Sequence, residues 1–250
     1  MTVLLRSFAF GLLLAASTAA SALRAETVGP LAGRIWGTGD AVTVVLIHGD
    51  VSSGGPADYL YPMAELLAAA HPDARVVALL RPGYEDSDGR KSEGSNNGRR
   101  DHYTETNNDL LAAALKAARG ASRRLVVMGH SGGSAQLGAV IGRHPGIVDS
   151  AILVSCPCDL RRWRKDRNRK VWSNSQSPST YAEDVPATTR VIAITGARDD
   201  NTFAYLASDY VADLREAGVD ASFTEVAGAG HRFDALSAAV AQAIAGEIAR

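Results

Sequence analysis

The sequence predicts an α/β fold in which a doubly wound, mostly parallel sheet is flanked by helices on both faces. Short runs of branched apolar residues alternate along the chain with segments of helical periodicity. These runs are apolar at nearly every position, which is typical of strands that are covered on both sides. The chain has 250 residues, of which 46% are hydrophobic. This is enough for one domain of this class.

Six apolar runs, each ending near a turn or a polar residue, predict the parallel strands: 42–47, 75–80, 124–128, 150–155, 190–195 and 221–226. Residues 31–36 predict an additional antiparallel strand at the edge of the sheet. Helical spacing of apolar residues predicts the helices 58–70, 101–119, 134–143 and 202–217 and a last helix from Phe233 to Ile248. Ligands of such sheets bind at the carboxyl ends of the strands, so the site is expected there.

The first 22 residues have the pattern of a signal peptide. One positive charge precedes an apolar run at 7–16, and Ala20, Ser21 and Ala22 supply the small residues that a signal peptidase reads. Cleavage after Ala22 fits best and cleavage after Ala25 is an alternative, as are a buried N-terminal helix and a retained anchor. Residues 23–250 would then form a single domain that is secreted or periplasmic. We expect no stable membrane insertion after signal cleavage, since no other stretch reaches the ~20 apolar residues of a spanning helix.

Charge and cysteine content exclude several classes of partner. The formal net charge of −1 gives no general attraction to nucleic acid or to an anionic membrane, so we expect no nucleic-acid partner. Cys156 and Cys158 are the two cysteines, and they flank Pro157. The pair is either two thiols at a strand end or a local disulfide. It lacks the neighbouring ligands of a metal site, and we expect no metal and no cofactor.

The strongest motif is Gly129-His130-Ser131-Gly132-Gly133, which matches G-x-S-x-G between a predicted strand and a predicted helix. In this context the serine lies in a sharp turn that projects its hydroxyl above the sheet. Side chains two residues before or after the serine would collide with the neighbouring elements, which explains the flanking glycines. The pattern predicts Ser131 as a nucleophile. The alternative is a tight turn in a non-catalytic domain.

Taken together, the motifs resemble the α/β-hydrolase superfamily over nearly all of the mature chain. They occur in the expected order: Leu46-Ile47-His48-Gly49, Arg81-Pro82-Gly83-Tyr84, the Ser131 turn, Gly196-Ala197-Arg198-Asp199-Asp200 and Gly228-Ala229-Gly230-His231. They are similar to those of prolyl oligopeptidases and dienelactone hydrolases. The resemblance implies the α/β-hydrolase fold and a serine hydrolase mechanism, but no particular substrate.

The same resemblance implies the partners of Ser131. His231, before the last helix, is expected to be the general base, and Asp199 the acid that orients it. Asp200 and Asp159 remain alternatives for the acid, although Asp200 could instead cap a helix that starts at Thr202. Of the other histidines, His48 is expected to shape the oxyanion loop and His130 to be the variable residue of the turn. His71, His102 and His144 are interpreted as surface or packing residues.

The backbone amides of Gly132 and Asp50 are the expected oxyanion hole, with Val51 as the alternative to Asp50. Asp50 departs from the superfamily, where apolar or aromatic residues are common. A carboxylate beside an oxyanion is unfavourable, so its side chain should turn away. Tyr84 is expected at the rim of the cleft.

A cap-like insertion at about 159–189 is expected near the site. Its basic residues either form a solvated face or attract an anionic substrate, and Trp163 and Trp172 either wall an acyl pocket or pin the insertion to the core. The expected activity is hydrolysis of an ester, or of a peptide or amide, through an acyl-enzyme intermediate. The alternatives are an acyltransferase with the same triad and a non-catalytic binding protein.

Overall fold

One twisted sheet organises the chain in the computed structural model, which describes residues 24–250. Its eight strands in the described residues are β1 (Arg24–Val28), β2 (Leu31–Trp36), β3 (Val42–Ile47), β4 (Ala74–Leu79), β5 (Arg124–His130), β6 (Ser150–Val154), β7 (Arg190–Gly196) and β8 (Ala221–Val226). In space they follow the order β1-β2-β4-β3-β5-β6-β7-β8. The six strands from β4 to β8 pair in parallel, whereas β1–β2 and β2–β4 are antiparallel.

Six α-helices accompany this sheet in the described residues: α1 (Tyr61–Ala70), α2 (Glu105–Arg119), α3 (Gly132–Arg143), α4 (Leu160–Asp166), α5 (Ala204–Glu216) and α6 (Phe233–Ile248). All but α4 cover its two faces. The apolar residues of α1 and α6 pack on one face, and those of α2, α3 and α5 pack on the other. Strand β3 shows why the central runs are apolar throughout. Val45 and Ile47 pack on the face covered by α2, α3 and α5, and Val44 and Leu46 pack on the face covered by α1 and α6. All four are fully buried. The predicted fold class is confirmed.

The predicted position of β2 is wrong in one respect. Residues 31–36 do form an antiparallel strand, but β1 pairs with it and takes the edge of the sheet. The sequence RAETV of β1 gave no apolar run by which it could be predicted. Helix starts also shifted by a few residues; α2 begins at Glu105 because the side chain of Thr104 accepts a hydrogen bond from the amide of Asn107.

The insertion at 159–189 contains α4 and a short 3-10 helix, Pro178–Asp184. Trp163 is buried, and its Nε1 donates a hydrogen bond to the carbonyl of Asn201 at 2.8 Å. The ring of Trp172 packs edge-on against it, with centroids 5.4 Å apart. Trp163 and Trp172 therefore pin the insertion to the domain, as one of the two interpretations expected.

Cys156 and Cys158 form a disulfide directly after β6, and both residues are buried. The structure thus decides between the two states that the sequence left open. Among the described residues, no helix has the length and apolarity needed to cross a membrane. The predicted signal peptide lies outside the described residues.

Candidate active site

The turn between β5 and α3 has the geometry of a nucleophile elbow. Ser131 has φ 53° and ψ −116°, a left-handed φ that costs energy in a residue with a side chain. A Cβ on Gly129 would lie 2.6 Å from the backbone of Gly133, and a Cβ on Gly133 would lie 2.5 Å from the carbonyl oxygen of Ile47. These distances are too short for any side chain. The glycines are therefore required by the close approach of β5, α3 and β3.

The structure brings Ser131, His231 and Asp199 together. His231 Nε2 lies 3.0 Å from Ser131 Oγ, and His231 Nδ1 lies 2.9 and 3.1 Å from the two carboxylate oxygens of Asp199. The three residues follow β5, β8 and β7, so they meet at the carboxyl edge of the sheet. The hydroxyl, the imidazole and the carboxylate form one continuous line of hydrogen bonds.

Asp199 is held by its own loop. Its Oδ1 accepts the amides of Asn201 and Thr202 at 3.0 and 2.8 Å, and its Oδ2 accepts the hydroxyl of Thr202 at 2.8 Å. Burial favours the neutral acid, but the hydrogen bond and charge of His231, followed by the bonds from Thr202, lower the pKa of Asp199 overall. The sequence offered no indication of Thr202, which contacts the site only because the loop folds back on itself.

The two alternative acids do not contact His231. Asp200 is exposed. Asp159 caps α4, since its side chain accepts a hydrogen bond from the amide of Arg162 at 3.0 Å. The expectation that Asp200 caps a helix at Thr202 was wrong, because α5 begins at Ala204 and the free amides of the preceding turn go to Asp199.

Asp50 and Gly132 lie side by side at the elbow. The Asp50 carboxylate is held by the side chains beneath the loop: its Oδ1 and Oδ2 accept hydrogen bonds from Arg81 and Tyr103, each at 2.7 Å. A Cβ on Gly132 would lie 2.4 Å from Asp50 Oδ1, so glycine is required here as well. Neither backbone amide donates a hydrogen bond to another described residue. Both are free to bind an oxygen atom of a ligand.

Arg81 lies fully buried beneath this loop. Its guanidinium also bonds Gln136 at 2.7 Å and lies 3.0 Å from His102 Nε2. Burial opposes its charge, but Asp50 raises the pKa of Arg81. For Asp50, burial likewise opposes ionisation, and Arg81 lowers the pKa far below its usual range. The pair is therefore ionised and mutually neutralised.

One residue near Arg81, Tyr84, differs from what the sequence suggested. Tyr84 is buried rather than at the rim of the cleft, and its hydroxyl lies 3.3 Å from His102 and 3.4 Å from Asp50. His102 is a buried member of this cluster, which agrees with a packing role. The cluster was missed because its members come from four separate segments, and spacing in the sequence carries no information about such contacts.

His48 shapes the loop after β3, as expected. Its Nδ1 donates to the carbonyl of Gly49 at 2.7 Å, and its Nε2 accepts the amide of Arg81 at 2.9 Å. Burial, and then the charge of Arg81, lower the pKa of His48 to about 3. The ring is therefore neutral and fixed in one tautomer.

A cavity of about 390 Å³ opens above Ser131. Polar and aromatic residues of three loops line it: Gly49, Asp50, Tyr59, His130, Ser131, His231, Arg232, Phe233 and Asp234. The tryptophans and the basic residues of the insertion are not part of this lining. Arg162 instead pairs with Asp209 at 2.6 Å, and Arg167 bonds the carbonyl of Asp200. A solvated basic face fits these contacts better than a binding site for an anionic substrate.

The sheet order and a serine elbow directly after β5 define an α/β hydrolase. A profile described as the prolyl oligopeptidase family matches residues 84–247, and the chain belongs to that family. It is an enzyme, a hydrolase of the esterase and peptidase type. A comparison with curated proteins gave no match.

Solved structures share the fold at low identity. Esterase PE8 is 21% identical, with 87% of this chain and 99% of that chain covered and a TM-score of 0.62. The Paleococcus ferrophilus monoacylglycerol lipase is 18% identical, with 87% and 98% covered and a TM-score of 0.63. The Pyrococcus horikoshii acylaminoacyl peptidase is 15% identical, with 85% of this chain but 37% of the peptidase covered and a TM-score of 0.63.

Proposed function

We propose that this protein hydrolyses carboxylic esters, or peptide or amide bonds, of small molecules through an acyl-enzyme intermediate. One observation carries the proposal: a single line of hydrogen bonds runs from Ser131 Oγ through both nitrogens of His231 to Asp199. A serine hydroxyl is a weak nucleophile until a base within hydrogen-bond reach removes its proton. The 3.0 Å contact between Oγ and Nε2 supports this transfer.

The chemistry follows from the arrangement of the three groups. Ser131 Oγ attacks the carbonyl carbon while its proton moves to His231 Nε2. The tetrahedral intermediate then collapses, and the imidazolium gives the proton to the departing alcohol or amine. A water molecule, deprotonated by the same nitrogen, then attacks the acyl-enzyme. The second tetrahedral intermediate collapses, the imidazolium returns the proton to Ser131 Oγ, and the acid is released. Asp199 keeps the proton of neutral His231 on Nδ1 and offsets the positive charge of the imidazolium.

The amides of Asp50 and Gly132 are the donors that we assign to the oxyanion. An Asp50 carboxylate close to that oxygen would oppose the reaction, but its bond to Arg81 neutralises it. Arg232 and Asp234 also line the cavity, and their exposed side chains pair with one another at 3.1 Å. Since Asp50 is paired with Arg81 as well, these contacts favour an uncharged acyl group next to Ser131.

We also propose that the protein is exported to the periplasm or the medium after removal of residues 1–22. The disulfide between Cys156 and Cys158 supports this location, since disulfides persist in oxidising compartments. Mass spectrometry of the product made from the full chain in a secreting host should give Leu23 as the first residue. A retained Met1 would contradict the proposal.

The activity is tested with a panel of p-nitrophenyl esters and aminoacyl p-nitroanilides. We expect turnover of at least one class, and a loss of about a thousand-fold or more in Ser131→Ala and His231→Ala. Ser237→Ala, which alters an exposed hydroxyl bonded within α6, is the matched control and should keep wild-type activity. Equal turnover by wild type and Ser131→Ala would refute the mechanism, and the preferred class separates an esterase from a peptidase.

A further inference from the structure

We propose that His130 is a positioning residue that, together with Tyr59, holds the loop of the general base in its working orientation. The inference rests on the proposed function of Ser131 and His231 and adds to it. His130 occupies the position of the elbow between Gly129 and Ser131, where the motif itself demands no particular side chain.

A series of hydrogen bonds passes through this histidine and connects the loop after β3, which carries the proposed oxyanion donor, with the loop after β8, which carries His231. The amide of Gly49 donates to the hydroxyl of Tyr59 at 2.6 Å, and that hydroxyl lies 2.6 Å from His130 Nδ1. His130 Nε2 lies 3.1 Å from the backbone carbonyl of His231. Gly49 directly precedes Asp50, so this series of hydrogen bonds reaches both the proposed oxyanion donor and the base.

The direction of each bond follows from its partners. A carbonyl oxygen can only accept, so His130 Nε2 must carry a proton to bond His231. In neutral imidazole, Nδ1 is then bare and accepts the hydroxyl proton of Tyr59. The carbonyl of His231 thus sets the tautomer of His130, because the opposite tautomer would place a lone pair against that oxygen, and the hydroxyl of Tyr59 stabilises this tautomer by donating to Nδ1.

Burial keeps the ring in the neutral form that this scheme needs. His130 is 6% exposed. Burial, and next the proximity of His231, lower the pKa of His130 to about 4. The ring also packs against His231 and Phe233, with centroids 5.4 Å away in each case. The Nε2 position is thus fixed from two sides.

Three variants distinguish the hydrogen bond between Tyr59 and His130 from the hydrogen bond between His130 and His231. His130→Gln keeps a donor where Nε2 was, whereas His130→Asn keeps an acceptor where Nδ1 was but loses the bond to His231. Tyr59→Phe keeps the ring that lines the cavity and removes only the hydroxyl. We expect His130→Asn and Tyr59→Phe to lower kcat about 10-fold to 100-fold with KM little changed, and His130→Gln to retain most of kcat.

Each rate is expressed per active site titrated with a fluorophosphonate, so that misfolded protein does not count. Tyr61→Phe is the control for Tyr59, because it removes another tyrosine hydroxyl bond, to Asp86 at 2.9 Å, on the neighbouring helix. His144→Gln is the control for His130; it alters an exposed pair with Asp109. Both controls should retain the wild-type kcat.

The positioning role would be overturned if His130→Asn and Tyr59→Phe kept a kcat per titrated site within about twofold of wild type, whatever their melting temperatures. Equal losses in His130→Gln and His130→Asn would also overturn it, since the bond to His231 would then not be the deciding contact. If the wild type itself neither turns over nor becomes labelled, the proposed function fails and not this inference alone.

Discussion

At the scale of single residues, the site depends on two carboxylates, Asp199 and Asp50, whose ionised forms are stabilised by neighbouring side chains. Asp199 faces His231 and receives two amides and one hydroxyl from its own loop. Asp50 pairs with Arg81 instead, at 2.7 Å. Both acids have a lowered pKa, although Asp199 is buried and Asp50 only partly so. In the proposed mechanism, Asp199 orients the base and the amide of Asp50 binds the oxyanion.

The role of Asp199 predicts a difference between two neighbouring aspartates. Asp199→Asn should lower kcat by up to about ten-thousand-fold, because an amide no longer holds the proton of His231 on Nδ1. Asp200→Asn, on an exposed side chain one residue away, should leave kcat unchanged. Steady-state kinetics on the best ester or anilide measures both, and comparable losses in the two variants would contradict the assignment.

The ion pair of the buried Arg81 and the partly buried Asp50 predicts a coupled effect on stability. Arg81→Gln leaves the Asp50 carboxylate, whose side chain is 13% exposed, without its ion-pair partner, so it should lower the free energy of unfolding by about 3 kcal/mol. The double variant with Asp50→Asn should lose much less than the sum of the single losses. Urea unfolding of the four proteins measures this, and strictly additive losses would show that the two residues are not coupled.

At the scale of elements, the elbow depends on the close approach of β3, β5 and α3. Gly133→Ala should abolish correct folding or cost several kcal/mol, because its Cβ would lie 2.5 Å from the carbonyl oxygens of Ile47, at the end of β3, and of His48. Gly246→Ala is the matched control, since it lies in α6 with open space around its Cβ. That substitution should raise stability by roughly 0.5–1 kcal/mol. Thermal unfolding of both variants tests the contrast, and a tolerated Gly133→Ala would contradict the observed packing.

The elements were predictable where their signal is local. The apolar runs of β3 to β7 and the glycines of the elbow reflect burial and sterics within a few residues. Strand β1 was not predictable, because its residues are mostly polar and it exists through pairing with β2. Tyr59, Thr202 and the surroundings of Arg81 were missed for a related reason: His130 and Tyr59 are 71 residues apart, and only the folded sheet brings them together.

At the scale of the whole molecule, buried histidines make stability depend on pH. The pKa of His130 falls from 6.5 to about 4 on folding. Below pH 6.5 the unfolded chain therefore takes up a proton that the folded chain does not, so the free energy of unfolding falls as the pH is lowered. The loss of unfolding free energy caused by His130 levels off near pH 4, where the folded chain also binds the proton. The total loss is about 3 kcal/mol at most.

Urea unfolding at several pH values tests this dependence. Wild type should lose stability steadily between pH 7 and pH 4, and His130→Gln should lose up to about 3 kcal/mol less over the same range. His48, whose pKa is about 3, contributes in the same direction in both proteins. Parallel curves for the two proteins would contradict a neutral, buried His130.

In the proposed mechanism, Ser131 is a nucleophile activated by His231. Labelling with a fluorophosphonate, followed by mass spectrometry of the proteolytic peptides, tests this claim most directly. We expect one covalent adduct per chain, on Ser131, with labelling lost in Ser131→Ala and much slower in His231→Ala. An adduct on another residue, or equal labelling of wild type and Ser131→Ala, would contradict it.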